Sequence, residues 1–441
     1  MPEHWEIRRL KHTSTLHGRI GFHGLSTSDY GSNGIIVVSG SNFRDWHVDW
    51  NRCHRISKDW YEKDKNIQLR NGDLLVTKDG TIGKTAIVSE LTERAVPNSG
   101  VIVVRPRMPI QYENRYLMYL INSKVFNSFI DIKKTGATIH HLYEATFNNF
   151  SISLPQISEQ STIVKFLDYI DRRIRRYIHA KQKLIKLLEE QKQAIIQKAV
   201  TGGLDTNVRF KESGVEWLGE IPDHWEVRQL GRCLRKIEQG WSPVAENGEL
   251  TETQWAVLTL SSVKRGNFKP DAIKPIAMSA EIPKGIEVYT GDFLLTRSNT
   301  RNLVGDVCVV DKVRPKTIIC DLIYRLHIDD KILEPRFLMY QLLAPHGRRQ
   351  IEQDARGSSN TMPKIAQRHI KTWKVLFPSI EEQRSITEMI DTCISQIDNI
   401  ISLIEREMFL LREYRTRLIA DLVTGKLDVR EAAASLPEET E

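Results

Sequence analysis

The chain is 441 residues long, 40% hydrophobic and 27% charged, with a formal net charge of +7 and a pI near 9.0. That length accommodates two or three domains, and no apolar run approaches the ~20 residues that a membrane span requires. The five cysteines are scattered and odd in number, which argues against a disulfide frame or a zinc ribbon and suits reduced thiols in a cytoplasm. No metal site is expected, because His47, Cys53 and His54, the nearest cluster, lack the spacing of a tetrahedral set. The basic balance permits a nucleic-acid partner without proving one.

The opening "MPEHWEIRRLKH" is polar and lacks the apolar stretch of a secretory signal. Within it, "PEHWEIRRL" (Pro2–Leu10) reads as the first strand of a globular region. Further on, "VTKDGTIGKT" (Val76–Thr85) has the Gly-Lys-Thr ending of a phosphate-binding loop. Its spacing argues against one. A P-loop needs four residues between its two glycines so that successive N–H groups can wrap a phosphate. Counting back from Gly83, Lys78 holds that place, and Gly80 is too close. The stretch therefore reads as a strand and a glycine turn. Lys78, Thr81, Lys84 and Thr85 offer cationic and hydroxyl donors there, and Gly80 and Gly83 let the turn approach a phosphate or a base edge. A second basic-polar stretch, "KKTGATIHH" (Lys133–His141), adds Lys133, Lys134, Thr138 and His140.

After "LPQISEQ" (Leu154–Gln160) neither proline nor glycine interrupts the chain up to Val200. Ile163, Leu167, Ile170, Ile174, Tyr177, Leu184, Leu188 and Ile195 recur at coiled-coil spacing, which predicts one long helix. Roughly 42 residues at ~1.5 Å each make a rod of about 63 Å, too long to hide its apolar stripe alone. "TGGLD" (Thr201–Asp205) ends it.

The remainder repeats this plan. "PDHWEVRQL" (Pro222–Leu230) answers "PEHWEIRRL", and "TGDFLLTRSN" (Thr290–Asn299) answers "NGDLLVTKDG" (Asn71–Gly80). "FLMYQLLA" (Phe337–Ala344) answers "YLMYLINS" (Tyr116–Ser123), "FPSIEEQ" (Phe377–Gln383) answers "LPQISEQ", and "TGKLD" (Thr424–Asp428) answers "TGGLD". The offset of about 219 to 223 residues is a duplicated half-protein and not a solenoid period. The second loop, "TRSNTRNLVGD" (Thr296–Asp306), is about three residues longer and carries Arg297, Asn299, Arg301 and Asn302, types that read guanine and adenine edges. "ARGSSNTMPK" (Ala355–Lys364) replaces the second basic stretch and brings Arg356, Ser358 and Ser359.

The second long helix keeps its phase through Ile386, Ile390, Cys393, Ile397, Ile400, Ile404, Leu411, Tyr414 and Leu418. Paired antiparallel, the two helices would separate the globular regions and bring the chain termini together. Ile178, Leu187, Ile196, Ile401 and Met408 add apolar surface beyond a two-helix seam, which suggests helices from another protein. The predicted organisation is a globular domain (1–154), a spacer helix (155–205), a second globular domain (206–377), a second spacer helix (378–430) and a tail (431–441). The fold class is α+β: two α/β-type domains, two long antiparallel helices and an internal duplication with pseudo-twofold symmetry.

This arrangement resembles the specificity subunit of type I restriction-modification systems over almost the whole chain. "GDLLVTKDGTIGKTAIV" (Gly72–Val88), "TGATIHHL" (Thr135–Leu142) leading into "LPQISEQ", their counterparts, and the helices ending in "TGGLD" and "TGKLD" carry the likeness. The resemblance implies two target-recognition domains, each reading one part of a split double-stranded DNA target. It also implies docking of two methyltransferase subunits, with motor and restriction subunits in the full complex. S-adenosylmethionine, ATP and magnesium would reside on those partners, leaving this chain without catalytic residues or a cofactor, in the cytoplasm and off the membrane.

Two other readings are weaker. An ATPase or self-sufficient nuclease would rest on the mis-spaced loop and on "PDHWEVR", where Arg228 stands in place of the lysine a nuclease motif expects. A coiled-coil scaffold without a DNA role would leave the duplicated basic loops unexplained.

Overall fold

The computed structural model describes residues 1–18, 30–31, 33–62, 64–133, 141–243, 250–251, 253–277, 279–355 and 362–437, the side chains of Trp60, Ile132 and Lys133 excepted. The chain forms two compact units, Met1–Gln182 with Glu405–Glu441, and Lys183–Ile404. Each contains one globular domain and part of each long helix, Ile157–Gly202 and Ile380–Val423.

In the first unit, strand Glu6–Arg9 pairs antiparallel with Ser151–Leu154, the last strand before the long helix. Between them lies a sheet ordered Ser14–Gly18, Val101–Pro106, Leu74–Thr77, Thr85–Ile87, His47–Val48 and Phe43–Arg44. Period-2 alternation divides its side chains between two cores. Leu74, Val76, Ile102 and Val104 pack with the buried helix Asn114–Ile121, whereas Leu75, Val101 and Val103 join Ile36, Val38 and Phe43 on the other face.

The second unit repeats the arrangement. Glu226–Gln229 pairs with Lys374–Phe377, and the central sheet runs Leu234–Gln239, Ile323–Ile328, Phe293–Thr296, Val307–Val309. Phe293 and Leu295 face helix Pro335–Leu343, while Leu294 faces the other core.

Identical polar locks fix each long helix to its domain. Gln160 accepts from the Glu113 N–H at 3.0 Å and donates to the Gln111 and Pro155 carbonyls. Gln383 does the same with Glu334, Ile332 and Pro378. Both glutamines are fully buried, so each bond replaces one that water could not supply. This accounts for the near-identity of "SEQ" and "EEQ". The far ends of the helices close in left-handed conformation at Gly203 (φ 72°) and Gly425 (φ 65°), where a side chain would be strained. A Cβ on Gly425 would also stand 2.2 Å from Pro2 Cδ, and one on Gly203 3.3 Å from the Trp225 ring.

The helices pair antiparallel within each unit. Ile163 and Leu167 share a core with Leu418 and Leu422 in the first, and Ile196 and Ala199 share one with Ile386 and Ile390 in the second. Among the buried and half-buried positions of each helix, one series alternates strictly by four and three. One series is Leu167, Asp171, Ile174, Ile178, Lys181, Ile185, Leu188, Lys192, Ile195 and Ala199. The other is Ile390, Ile394, Ile397, Ile401, Ile404, Met408, Leu411, Arg415, Leu418 and Leu422.

This seam corrects part of the sequence reading. Ile196, Ile401 and Met408, expected to face a partner, are buried inside the chain, and Ile178 is half-buried in the same seam. Tyr177, Leu184, Ile400 and Tyr414, expected in the seam, are exposed. The cause is polar occupancy. Asp171, Lys181, Lys192 and Arg415 hold seam positions through ion pairs with Arg415, Glu407, Asp398 and Asp171 respectively. A phase drawn through apolar residues alone slips by one. Leu187 is exposed.

Candidate nucleic-acid interface

The loop after Leu74–Thr77 is closed by its own backbone. Gly83 N–H donates to the Thr77 carbonyl at 2.9 Å, and Lys84 N–H donates to Thr77 Oγ1 at 3.0 Å. In the second domain Gly305 N–H donates to the Thr296 carbonyl and Asp306 N–H to Thr296 Oγ1, both at 2.9 Å. Gly83 and Gly305 have φ of 81° and 69° and press against Phe126 and Ile351, so neither tolerates a Cβ. Between these fixed ends the loop lengths differ by three residues. The glycines are therefore scaffold, and the residues between them are free to vary.

The two basic stretches lie side by side in both domains. Leu142 N–H donates to the Lys78 carbonyl at 2.7 Å, and Asp79 bridges to His141. Correspondingly, Ile365 N–H donates to the Arg297 carbonyl at 2.9 Å, and Ser298 bridges to Lys364. The His141 Nδ1 also pairs with the Asp79 carboxylate. Segments some 60 residues apart in the chain thus form one surface beyond the sheet end, and the construction is the same twice.

The candidate residues divide. Thr81, Arg301 and Asn302 are exposed on the loops. Lys84 is exposed, its Nζ donating to the Gly40 carbonyl at 2.9 Å. Arg297 is half-buried, 5.8 Å from the Tyr324 ring centroid, and donates to the Asp321 carbonyl. Asn299 accepts from its neighbour Thr300 N–H at 2.8 Å. Two expectations are corrected. Thr85 is buried in the sheet with its hydroxyl accepting from Asn122 at 2.6 Å, and Lys78 is buried beside Gly18. Neither presents its donor to a groove.

Lys134, Thr138, His140, Arg356, Ser358 and Ser359 lie outside the described residues, as does the Lys133 side chain, although Lys133 closes helix Lys124–Lys133. The structure adds His141 and Lys364, the last residues of the second basic stretches, which the bridges bring to the loops. In each central sheet an arginine is neutralised, half-buried Arg105 in the first domain and buried Arg325 in the second. Arg105 forks onto Asp73 at 2.6 and 2.7 Å, and Arg325 contacts Glu238 and Asp292 at 2.7 and 2.9 Å. These cations belong to the scaffold.

Known proteins share this architecture. Residues 2–187 match the family described as type I restriction modification DNA specificity domain. The MjaVIII specificity subunit of Methanocaldococcus jannaschii is 24% identical over 375 residues, covering 83% of this chain and 81% of its own length. The EcoKI specificity subunit of Escherichia coli is 20% identical over 437 residues, covering 97% and 90%. Among solved structures, a chain from work on complex assembly and conformational transition of the type I R-M system superposes with a TM-score of 0.70 at 18% identity, covering 97% of this chain and 99% of that one. The HsdS subunit from Thermoanaerobacter tengcongensis gives a TM-score of 0.51 at 18% identity, with 97% and 98% covered. In its duplicated domains, its paired long helices and these matches, the chain is similar to the specificity subunits of type I restriction-modification systems.

Proposed function

We propose that this chain reads a bipartite double-stranded DNA target, one half-site per globular domain, and carries no catalytic site of its own. The observation that supports this best is the doubled loop pair. One backbone scaffold, closed by Gly83 and Gly305 and bridged to His141 and Lys364, displays different exposed residues in the two domains. Thr81 and Lys84 stand in one, Arg301 and Asn302 in the other. A fixed frame with exchanged polar residues is the arrangement that reading two different base sequences requires.

Docking of two methyltransferase subunits is the second part of the proposal. Leu187 and Leu410 are duplication equivalents, 50% and 52% exposed, and so are Tyr177 and Ile400, 41% and 46% exposed. Each unit thus has one member of each pair, one from each helix. Isolated apolar groups on a surface are ordinary; two matched sets suit two copies of one partner. S-adenosylmethionine, ATP and magnesium would be bound by the methyltransferase and motor subunits, and the assembly would work in the cytoplasm. Among the described residues no helix is long and apolar enough to cross a membrane.

Exchanging residues 1–154 for those of a relative tests the reading function. The segment ends with strand Ser151–Leu154, so its pairing with Glu6–Arg9 travels intact. In complex with its methyltransferase, the hybrid should methylate a motif altered in one half only. A motif altered in both halves, or in neither, would refute the proposal.

A further inference from the structure

The two globular domains place different side chains at five equivalent positions. Backbone bonds fix the equivalence. Arg297 N–H donates to the Leu322 carbonyl as Lys78 N–H donates to that of Gly100, both at 2.8 Å. Tyr324 lies opposite Gln239 across one strand pair, as Ile102 lies opposite Gly18 across the other. Lys364 and Gln367 then answer His141 and Glu144. The first domain reads Gly18, Lys78, Ile102, His141, Glu144. The second reads Gln239, Arg297, Tyr324, Lys364, Gln367.

In the second domain these five side chains line one cavity of about 470 Å³. The Tyr324 ring forms a wall, with the Arg297 guanidinium 5.8 Å from its centroid. Among the described residues, Gln239, Lys364 and Gln367 make no side-chain hydrogen bond, and the nearby His369 Nδ1 is buried without a partner. A concave site with an aromatic wall and several unused donors and acceptors is built for a polar, planar ligand.

The first domain fills the same place differently. A Cβ on Gly18 would stand 2.6 Å from Glu144 Oε1 and 3.3 Å from Lys78 Nζ. Both side chains therefore converge over that glycine, which explains why Lys78 is buried. The lysine ammonium and the Glu144 carboxylate thus lie over the same glycine at the sheet end.

We infer that this five-position cradle, at the sheet end behind the loops, is where each domain reads bases, and that its alphabet differs between the two. Arg297 forks guanine O6 and N7 and Gln239 pairs with adenine N6 and N7, so the second domain takes purines there. Glu144 accepts from a cytosine amino group in the first domain. The inference rests on the DNA-reading function proposed above and adds Gln239, Tyr324, Gln367 and Glu144, which the basic loops alone do not indicate.

The test uses the full chain in complex with its methyltransferase subunits, and maps methylated adenines genome-wide in a host without competing methylation. Gln239→Ala should relax one base pair of one half-site, with about 10-fold lower discrimination there, and leave the other half-site intact. Glu144→Gln should relax one base pair of the opposite half-site. An unchanged motif from both variants overturns the assignment, as does relaxation of both half-sites by one variant. Methylation lost at every site while the complex stays assembled also overturns it, because a base contact governs choice and not capacity. Gln239 is exposed, so its substitution spares the fold; Lys364→Gln on the same cavity gives the same readout should assembly suffer. Failure of the DNA-reading function itself would look different. The unmodified complex would then yield no bipartite motif, or one indifferent to exchange of residues 1–154.

Discussion

The Trp5 indole donates its Nε1–H to a Glu159 carboxylate oxygen 3.1 Å away. Trp225 repeats the bond to Glu382 at 3.0 Å, and His4 and His224 complete each set on the second carboxylate oxygen. The histidine-tryptophan pair at the start of each domain thus clips the first turn of the helix that leaves it. Trp5→Phe and Glu159→Ala should each lower the stability of the first unit, and a double-mutant cycle followed by urea unfolding should return a coupling of about 1 kcal/mol. Strict additivity would show that the bond contributes nothing.

The first helix pair contains a polar knot. Asp171 pairs with both Arg175 and Arg415, and the two guanidinium groups lie on the Trp46 ring, each 4.6 Å from its centroid. Asp171→Leu alone should destabilise the unit by about 3 kcal/mol, because it strands Arg415 in the seam. Adding Arg415→Leu should recover most of that loss, since apolar residues restore the heptad. Denaturant midpoints for the single and double variants decide the matter. A double variant no better than the single would mean that the Trp46 stacking, and not the ion pair, holds the site.

Stability of the second unit should carry an acid-sensitive contribution from Glu238. Burial pushes its carboxyl up, but hydrogen bonds from Lys236, His327 and Arg325 outweigh burial and hold it down to about 2. A pKa depressed on folding stabilises fully above the unfolded value of ~4.3 and ceases to do so as pH falls through about 2. Glu238→Gln should therefore cost about 2 kcal/mol above pH ~5. The difference from the parent chain should shrink steadily towards acid, as read from urea midpoints at several pH values. A constant difference across that range would remove Glu238 as the source.

The exposed equivalents Leu187 and Leu410 give a stoichiometry test. Leu187→Asp or Leu410→Asp should each leave one bound methyltransferase copy, and the double variant none, with the chain still folded. Mass measurement of the purified complexes, with circular dichroism on the free chain, separates docking from folding. Two copies retained by the double variant would place the partner elsewhere. Met408→Asp is the contrasting substitution: its side chain is buried in the seam, so it should unfold the pair first.

The duplication and both long helices were legible in the sequence because their signals are local: repeated words, an uninterrupted heptad, glycine at the ends. The seam was not fully legible, because Lys181, Lys192 and Arg415 occupy core-facing positions by ion pairing, which an apolar count cannot register. Adjacency of Asp79 to His141 and of Ser298 to Lys364 depends on sheet register between distant segments, and no spacing rule encodes it. Lys78 misled for a similar reason. A lysine in a loop reads as a solvent-facing cation until the chain closes over it, and Gly18, which makes room for it, is far away in sequence.

The boundary between units has a consequence for synthesis on the ribosome. The first unit needs Leu418, Ile419, Leu422, Val423 and Val429 in its core, residues that are translated after the whole of the second unit. The second unit is contiguous, Lys183–Ile404, and contains everything its core requires. The part of the chain made first must therefore wait, with Ile163, Val164 and Leu167 uncovered, while the part made later closes first. A chain truncated after Ile404 and released would hold a finished second unit and an unfinished first one, and it would be the domain before the first long helix that chaperones and proteases find open.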